Sequence, residues 1–318
     1  MAQAKEAGAY KVMKPGLIQN FLENLSESAD RESLLFTEIS CKGEECENLA
    51  KSCEEIKDVT IVDFSLNNLA DISSMKDSLT RLVKLNLASN RIKNAGVFAM
   101  EDAFMNLKWL DISNNKFTEW PAFKCPKLDY LNFSGNNVDK ISADWGGHPA
   151  LRILSAAGNK FKNLALVKGC TRLEELYLGN NLIATLGGCE GGLPALKRLH
   201  LRRNKIAAVE DELPEMPELE YLNLRHNAID SLESAVKVFQ FPKIVDLNVV
   251  NNPIDLNASS FNLLMAEFLV KRTALVRFCK HTIKESNKLE AVHLAQYRWG
   301  IEEEKRKAAA AAGAVEDE

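Results

Sequence analysis

The sequence lacks the short motifs that carry most enzyme chemistry. It has no G-x-S-x-G nucleophile elbow, no Walker phosphate loop, no H-E-x-x-H zinc motif and no Gly-rich dinucleotide turn. Its five His residues are scattered and form no catalytic grouping. We therefore expect no enzymatic activity, no cofactor and no small-molecule substrate.

Signals for membranes, metals and nucleic acids are equally scarce. No apolar run approaches the ~20 residues that span a bilayer, and residues 1–14 are polar, without the apolar segment of a secretory signal. The formal net charge of −4 favours neither nucleic acid nor an anionic membrane. The seven Cys lack the close-spaced pairs of a zinc site, and reduced thiols fit the cytosol. These absences predict a cytoplasmic protein that binds no metal, no membrane and no nucleic acid.

What the chain has in abundance is one phrase, repeated nine times. The phrase is an apolar residue, two variable residues, an apolar, a variable and an apolar residue, two variable residues, and then Asn. The nine Asn are spaced 21 to 25 residues apart, at Asn67, Asn90, Asn115, Asn136, Asn159, Asn181, Asn204, Asn227 and Asn252. A period in the low twenties with an L-x-x-L-x-L-x-x-N core is the leucine-rich repeat, which stacks short strands into a curved solenoid. The predicted fold class is therefore an α/β solenoid, a leucine-rich-repeat array of nine regular repeats.

The limits of this array divide the chain into five segments. They are a flexible lead (1–16), an N-terminal helical cap with a degenerate repeat (17–58), the regular leucine-rich repeats (59–256), a helical C-terminal cap (257–300) and a charged, Ala-rich helix or tail (301–318).

Helical caps are expected because a terminal repeat would otherwise expose its hydrophobic edge. Apolar residues recur with helical period over residues 17–25. Ile39, which lies 25 residues before Phe64, marks the degenerate first repeat. At the other end, residues 261–269 and the stretch from about 282 to 299 have helical spacing. Both ends are therefore predicted to close with helices.

Three unusual residues occupy an interior slot of the repeat. Cys125, His148 and Cys170 each lie three residues before the first apolar position, where other repeats have Leu, Phe or Met. We expect them to be buried, with the Cys side chains acting as small hydrophobic residues.

The residues between the apolar strand positions should face the concave side, because side chains alternate across a strand. The third and fifth positions of the repeats include Trp109, Tyr130, Tyr177, His200 and Tyr221. Aromatic and Arg anchors dominate interface energetics, although cross-strand stacking alone would also account for a few aromatic residues. We expect this row to bind a protein partner.

A basic cluster follows in the seventh and eighth repeats. It consists of Lys197, Arg198, Arg202, Arg203, Lys205 and Arg225. Because neighbouring strands lie ~4.8 Å apart, these charges repel unless acidic groups neutralise them, either from a partner or from Glu174, Glu175 and Glu220 of the chain itself. We expect an acidic partner surface. The predicted protein-binding residues are Trp109, Tyr130, Tyr177, Arg198, His200, Arg202, Arg203, Tyr221 and Arg225.

Several segments also resemble a known family. The seventh repeat (193–206), the eighth repeat (219–229) and the Asn-Asn-Pro-Ile sequence at 251–254 are similar to the intracellular class typified by the protein-phosphatase-1 regulatory subunit. Within that class they most resemble the leucine-rich-repeat protein of the axonemal radial spoke, found in motile cilia and sperm flagella. The likeness covers roughly residues 35–280.

This resemblance implies a non-enzymatic structural subunit that docks other spoke proteins in the axoneme. Two other functions remain open at this point. One is a regulatory subunit that binds a protein phosphatase, and the other is an RNA-processing scaffold that binds an RNA-recognition domain.

Overall fold

The repeated phrase forms one long parallel sheet. The computed structural model describes residues 22–27, 34–44, 58–75, 79–143, 145, 147–210, 212–254, 275–279 and 281–313. Each phrase contributes one three-residue strand: β3 (Ile61–Asp63), β4 (Lys84–Asn86), β5 (Trp109–Asp111), β7 (Tyr130–Asn132), β9 (Ile153–Ser155), β10 (Glu175–Tyr177), β11 (Arg198–His200), β12 (Tyr221–Asn223) and β13 (Asp246–Asn248). Successive strands pair in parallel, residue for residue at equivalent repeat positions. The predicted solenoid of nine regular repeats is confirmed.

The N-terminal end of the sheet is closed by strands. β1 (Leu22–Glu27) pairs antiparallel with β2 (Leu34–Ser40), which pairs in parallel with β3. The helix predicted over residues 17–25 is therefore wrong from Leu22 onward, and the first part of that prediction lies outside the described residues. A strand suits this position because the edge of a sheet leaves backbone N–H and C=O groups unpaired, and an antiparallel strand pairs them.

The degenerate first repeat exists, but its register differs from the prediction. Ile39 pairs with Val62 instead of aligning with Phe64, so Ile39 is the fourth-position residue of its repeat. Cys41 then takes the sixth position, where it is fully buried, and its N–H donates to the carbonyl of Asp63 at 2.8 Å.

The C-terminal end also carries a hairpin that the sequence did not predict. β14 (Arg277–Phe278) continues the parallel sheet beside β13, and β15 (His281–Thr282) pairs antiparallel with β14. Both strands lie where a helical cap was expected. A single helix, α2 (Glu285–Gly313), then covers most of the predicted helical stretch 282–299 and of the Ala-rich segment 301–318. Residues 261–269 lie outside the described residues, so the helix predicted there stays a prediction.

The return segments between strands are mostly irregular, with short helices and one small sheet. The 3-10 helices are Ser73–Met75, Gly96–Ala99, Ala165–Val167 and Lys237–Gln240, and the α-helix α1 is Leu232–Val236. β6 (Glu119–Trp120) and β8 (Lys140–Ile141) form a separate parallel pair on the return side. Trp120 is fully buried there, edge-on to Trp145 and Phe133.

The core is a set of ladders that run along the solenoid. In the second repeat, Leu82, Leu85 and Leu87 are all fully buried, as are their equivalents in the other repeats. The interior slot is confirmed as well: Cys125 is 0% exposed, Cys170 1% and His148 4%. At ~25 cal/mol per Å² of apolar area, these ladders provide the main stabilisation of each repeat against its neighbours.

The repeated Asn joins each turn of the solenoid to the previous one. Asn159 shows the pattern: its Nδ2 donates to the carbonyl of Ala156 in its own repeat and to that of Phe133 in the repeat before, at 3.1 and 3.0 Å. Its Oδ1 accepts from the N–H of Val138 at 3.2 Å. The side chain thus satisfies backbone groups that the chain bend frees from the strand ladder.

The residue before each repeated Asn has left-handed backbone geometry. These residues are Leu66, Ser89, Asn114, Gly135, Gly158, Asn180, Arg203, His226 and Asn251, with φ between 52° and 68°. Gly accepts this conformation freely and Asn accepts it at small cost, but the others are strained by roughly 1–2 kcal/mol each. This constraint was not predictable from the sequence, because four of the nine residues, Leu66, Ser89, Arg203 and His226, are not ones that adopt this geometry freely.

Candidate protein-binding face

The strands present two columns of side chains on the concave face. The register places the third-position residues beside one another across the sheet, and the fifth-position residues likewise. The predicted binding residues Trp109, Tyr130, Arg198 and Tyr221 stand in the first column, and Tyr177 and His200 in the second. Of these six residues, only Arg198 is exposed, and the others are half-buried.

The first aromatic group, the N-terminal stack, consists of Lys84, Trp109 and Tyr130. The Trp109 and Tyr130 rings lie parallel, with 5.1 Å between centroids and 4° between planes. Lys84 Nζ lies 4.8 Å from the Trp109 ring centroid. Such stacking contributes about 0.5–1.5 kcal/mol beyond burial, and both aromatic side chains remain partly exposed.

The second aromatic group, the C-terminal stack, consists of Tyr177, His200, Tyr221 and Arg198. His200 lies between the two Tyr rings, with centroids 4.5 Å from Tyr177 and 4.7 Å from Tyr221. The Arg198 guanidinium lies 5.1 Å from the Tyr221 ring centroid. The repeat that contributes β9 has no aromatic residue in either column, so the expected row is two separate stacks.

Most fifth-position residues have a structural role that the sequence analysis missed. The side chains of Asp63, Asn86, Asp111, Asn132, Asn223 and Asn248 each accept a hydrogen bond from the N–H two residues later. This Asx turn ends the strand. Tyr177 and His200 cannot make it, so two adjacent repeats give up a local stabilising bond where the C-terminal stack is built. Departures of this kind from a repeat pattern are expected at functional sites.

Two rings of the C-terminal stack, Tyr177 and His200, are neutral at pH 7. The pKa of Tyr177 is raised to about 12, mainly by burial and secondly by the hydrogen bond that its hydroxyl donates to Glu175. Burial lowers the pKa of His200 below its ordinary 6.5, and the neighbouring Arg198 lowers it further, against a smaller opposing effect of Glu175. The imidazole is therefore neutral at pH 7 and acts here as a third aromatic ring.

The expected basic cluster separates into three parts. Lys197 Nζ lies 3.2 Å from a carboxylate oxygen of Glu174, and the same carboxylate accepts a hydrogen bond from Arg152 Nε at 2.7 Å. The charge of Lys197 is therefore neutralised within the chain, by Glu174. These ion pairs are exposed and each contributes only about 0–1 kcal/mol. Arg203 and Lys205 are exposed in the turn after β11, with Arg203 at φ 58°.

The third part surrounds a cavity of about 450 Å³, which we term the arginine pocket. Its basic residues are Arg198, Arg202, Arg225 and Arg277; Tyr221, Asn223, Asp246 and Asn248 complete the lining. Arg277 was missed because it belongs to β14, outside the repeated phrase and inside the predicted helical cap. In the seventh position, where Arg202 and Arg225 stand, the first six repeats have only Ser, Ala or Gly.

Charge in the arginine pocket is only partly balanced. Arg277 Nε bonds to Asp246 Oδ2 at 2.9 Å. Burial raises the pKa of Asp246, while Arg277 and Arg198 act in the opposite direction. The Nε atoms of Arg202 and Arg225 are buried and have no hydrogen-bond acceptor among the residues that the structure describes. The arrangement can accept further negative charge.

The described ranges contain neither a metal-binding cluster nor a membrane-spanning helix. No group of three or more His, Cys, Asp or Glu there is placed to hold a metal ion. No helix in that part of the chain combines the length and the apolar character needed to cross a bilayer.

Comparison with known proteins gives relatives that share parts of this chain. Podocan of Mus musculus is 33% identical over 113 residues, which is 33% of this chain and 18% of podocan. Tubulin-specific chaperone E of Pongo abelii is 26% identical over 156 residues, 46% of this chain and 29% of that protein. The chain thus spans less than a third of either relative. Among solved structures, the Toll–Spatzle complex of Drosophila aligns with a TM-score of 0.57 at 17% identity, covering 74% of this chain and 31% of that one.

Sequence models of one family match along most of the array. Those described as leucine-rich repeat match residues 79–100 and 194–254, and the two-copy model matches 106–143, 149–190 and 171–215. Proteins of this family generally act as protein–protein interaction scaffolds and are generally non-catalytic. With nine strands in the matching register and family models over this much of the array, the chain belongs to the leucine-rich-repeat proteins.

Proposed function

We propose that this protein is a non-catalytic scaffold that holds a protein partner on its concave face. The observation that carries this proposal is the pair of aromatic stacks, Trp109 with Tyr130 and Tyr177 with His200 and Tyr221, on a strand face whose other residues are mostly polar. Aromatic side chains held rigid by their neighbours lose little entropy on binding and make strong interface anchors. The stiffness of the stacked repeats would fix the position of that partner relative to the ends of the solenoid.

For the assembly itself, we propose the axonemal radial spoke, in which the chain would be a structural subunit supporting ciliary or flagellar motility. The support is the resemblance of the seventh and eighth repeats and of residues 251–254 to the radial-spoke leucine-rich-repeat protein. A relative whose name ties it to tubulin is consistent with a cytoskeletal setting. The corresponding location of the protein is cytoplasmic, in the axoneme of the cilium or flagellum.

Affinity purification of the tagged chain from a ciliated or flagellated cell, followed by mass spectrometry, tests the assignment. The proposal expects other spoke and axonemal proteins to be recovered. Recovery of a phosphatase catalytic subunit or of splicing factors instead would overturn the radial-spoke assignment.

The Trp109→Ala/Tyr130→Ala double variant tests the binding face in the same experiment. Each anchor lost from an interface centre costs about 2 kcal/mol or more, so the double variant should recover far less partner. A matched control is Phe98→Leu, a fully buried change on the return side that leaves the concave face unchanged. Equal recovery with the double variant would show that the stacks are only packing.

A further inference from the structure

The arginine pocket has the properties of a recognition site in its own right. Four guanidinium groups and the one carboxylate of Asp246 leave a formal charge of +3 among its lining residues. Like charges gathered at this distance repel one another. His226, at the adjacent turn, reports the same positive potential: its pKa is lowered by desolvation first and then by Arg225, Arg202 and Arg203.

The repeat pattern indicates that two of these arginines are local additions. Arg202 and Arg225 occupy a column that holds only small residues in the first six repeats, and they stand at equivalent positions, each two residues after its strand, β11 or β12. Their buried Nε atoms lack acceptors within the described part of the chain. A buried unpaired donor costs about 1–3 kcal/mol, more when charged, so an anion that supplied acceptors would remove this penalty.

The dimensions of the pocket favour a chain segment over a single small anion. Its arginines lie on or just after β11, β12 and β14, and β13 lies between β12 and β14. The distance from β11 to β14 is therefore three strand spacings of ~4.8 Å, or about 14 Å. An extended polypeptide covers that length with about four residues at ~3.3 Å each. The cavity of about 450 Å³ would hold roughly 15 waters at about 30 Å³ each, far more room than one phosphate needs.

We propose that the arginine pocket binds an acidic segment of the partner polypeptide, which places at least two carboxylates against Arg202 and Arg225. This inference rests on the proposed scaffold function and adds the chemistry of the partner. Arg guanidinium groups form paired hydrogen bonds with carboxylates, so the fork formed by Arg202 and Arg225 fixes the register of the segment. Tyr221, shared with the C-terminal stack, joins the pocket to the aromatic surface. Asp246 holds Arg277 in place and competes with the incoming carboxylates.

Binding of fluorescein-labelled hexaglutamate, measured by fluorescence anisotropy, tests the proposal on the full chain. Hexaglutamine serves as the uncharged control ligand and should not bind. Affinity should fall steeply as ionic strength rises from about 0.01 M to about 1 M, where the Debye length shrinks from roughly 30 to 3 Å. No hexaglutamate binding even at low ionic strength would overturn the proposal.

Charge-matched variants distinguish the pocket from diffuse attraction. Arg202→Gln/Arg225→Gln should weaken hexaglutamate binding by about tenfold or more, whereas Arg203→Gln/Lys205→Gln removes the same charge outside the cavity and should have little effect. Equal weakening in both pairs would overturn the proposal. If the first pair fails to fold, Arg198→Gln, whose side chain is exposed, provides the test, with a several-fold loss expected.

Two further outcomes decide the nature of the ligand and the role of Asp246. Asp246→Asn should tighten binding, because it removes the competing carboxylate with little change of shape; unchanged or weaker binding would contradict that role. Inorganic phosphate should displace the probe poorly. Full displacement at low phosphate concentration would overturn the proposal and show that the pocket binds a single small anion instead of an acidic segment. Because the probe needs no cellular partner, its failure would leave the scaffold proposal standing.

Discussion

Relief of left-handed strain at Leu66 should stabilise the solenoid. Leu66 has φ 58° in the turn before Asn67, and its side chain is 53% exposed, so it gains little from burial there. Its N–H donates to the carbonyl of Ala88 at 2.9 Å, a bond that any non-proline residue would keep. Leu66→Asn therefore changes the backbone preference while leaving the repeat contacts intact.

The expected gain follows from the cost of the conformation. A residue with a Cβ pays roughly 1–2 kcal/mol in the left-handed region, and Asn pays less because its side chain can bond locally. We expect Leu66→Asn to stabilise by about 1 kcal/mol, which corresponds to a rise in Tm of about 2–4 °C for a domain of this order of size. Asn180, with φ 54° in an equivalent turn, gives the reverse test: Asn180→Ala should lose a similar amount.

Urea titration followed by circular dichroism measures both changes as shifts of the midpoint at constant slope. Leu66→Ala is the matched control, because it removes the side chain but keeps the Cβ and hence most of the strain. The reasoning is refuted if Leu66→Asn gives no stabilisation, or if Leu66→Ala stabilises by as much.

Three other results are expected. Asn159→Ala should destabilise by about 2–4 kcal/mol in the same urea titration, because it leaves buried backbone groups of two repeats unpaired, and a loss under 1 kcal/mol would contradict that account of the repeated Asn. Burial lowers the folded-state pKa of His148 below 6.5, so the neutral side chain contributes its full stability above about pH 6.5, and that contribution is lost as the pH falls towards the folded-state pKa. His148→Leu should therefore make the decline of Tm below pH 6.5 shallower. An unchanged decline would argue against this role of His148. Trp109→Ala/Tyr130→Ala should lower Tm by only a few degrees, since their stacking contributes about 0.5–1.5 kcal/mol beyond burial, and a collapse of the fold would show that the pair is part of the core.

The central part of the fold could be predicted from the sequence because the repeat itself fixes the register. Once one phrase is aligned with the next, every third-position and fifth-position residue has a determined neighbour. The contacts of Trp109 with Tyr130 and of Tyr177 with His200 follow from that alignment. The burial of His148 was predictable for the same reason, since its slot holds apolar residues elsewhere.

The ends were poorly predicted because they lie outside the repeat. A short segment such as Leu22–Glu27, with only two apolar residues, fits either a helix or a strand, and only its pairing with β2 decides between them. Arg277 joined the candidate site through β14, whose pairing with β13 follows no repeated phrase. Arg203 lies in the turn outside the cavity, because left-handed geometry at that position separates it from Arg202.

Site-specific photocrosslinking tests the central claim of a concave binding face most directly. Benzoylphenylalanine is placed in three separate variants, at Trp109 and at Tyr221 on the strand face and at Met100 as the control. Met100 is an exposed residue that follows the return-side helix Gly96–Ala99. After irradiation in ciliated-cell extract, we expect the two strand-face positions to crosslink to one common partner and Met100 to leave it unlabelled. Crosslinks to that partner from Met100 alone would contradict the account and place the interface on the return side.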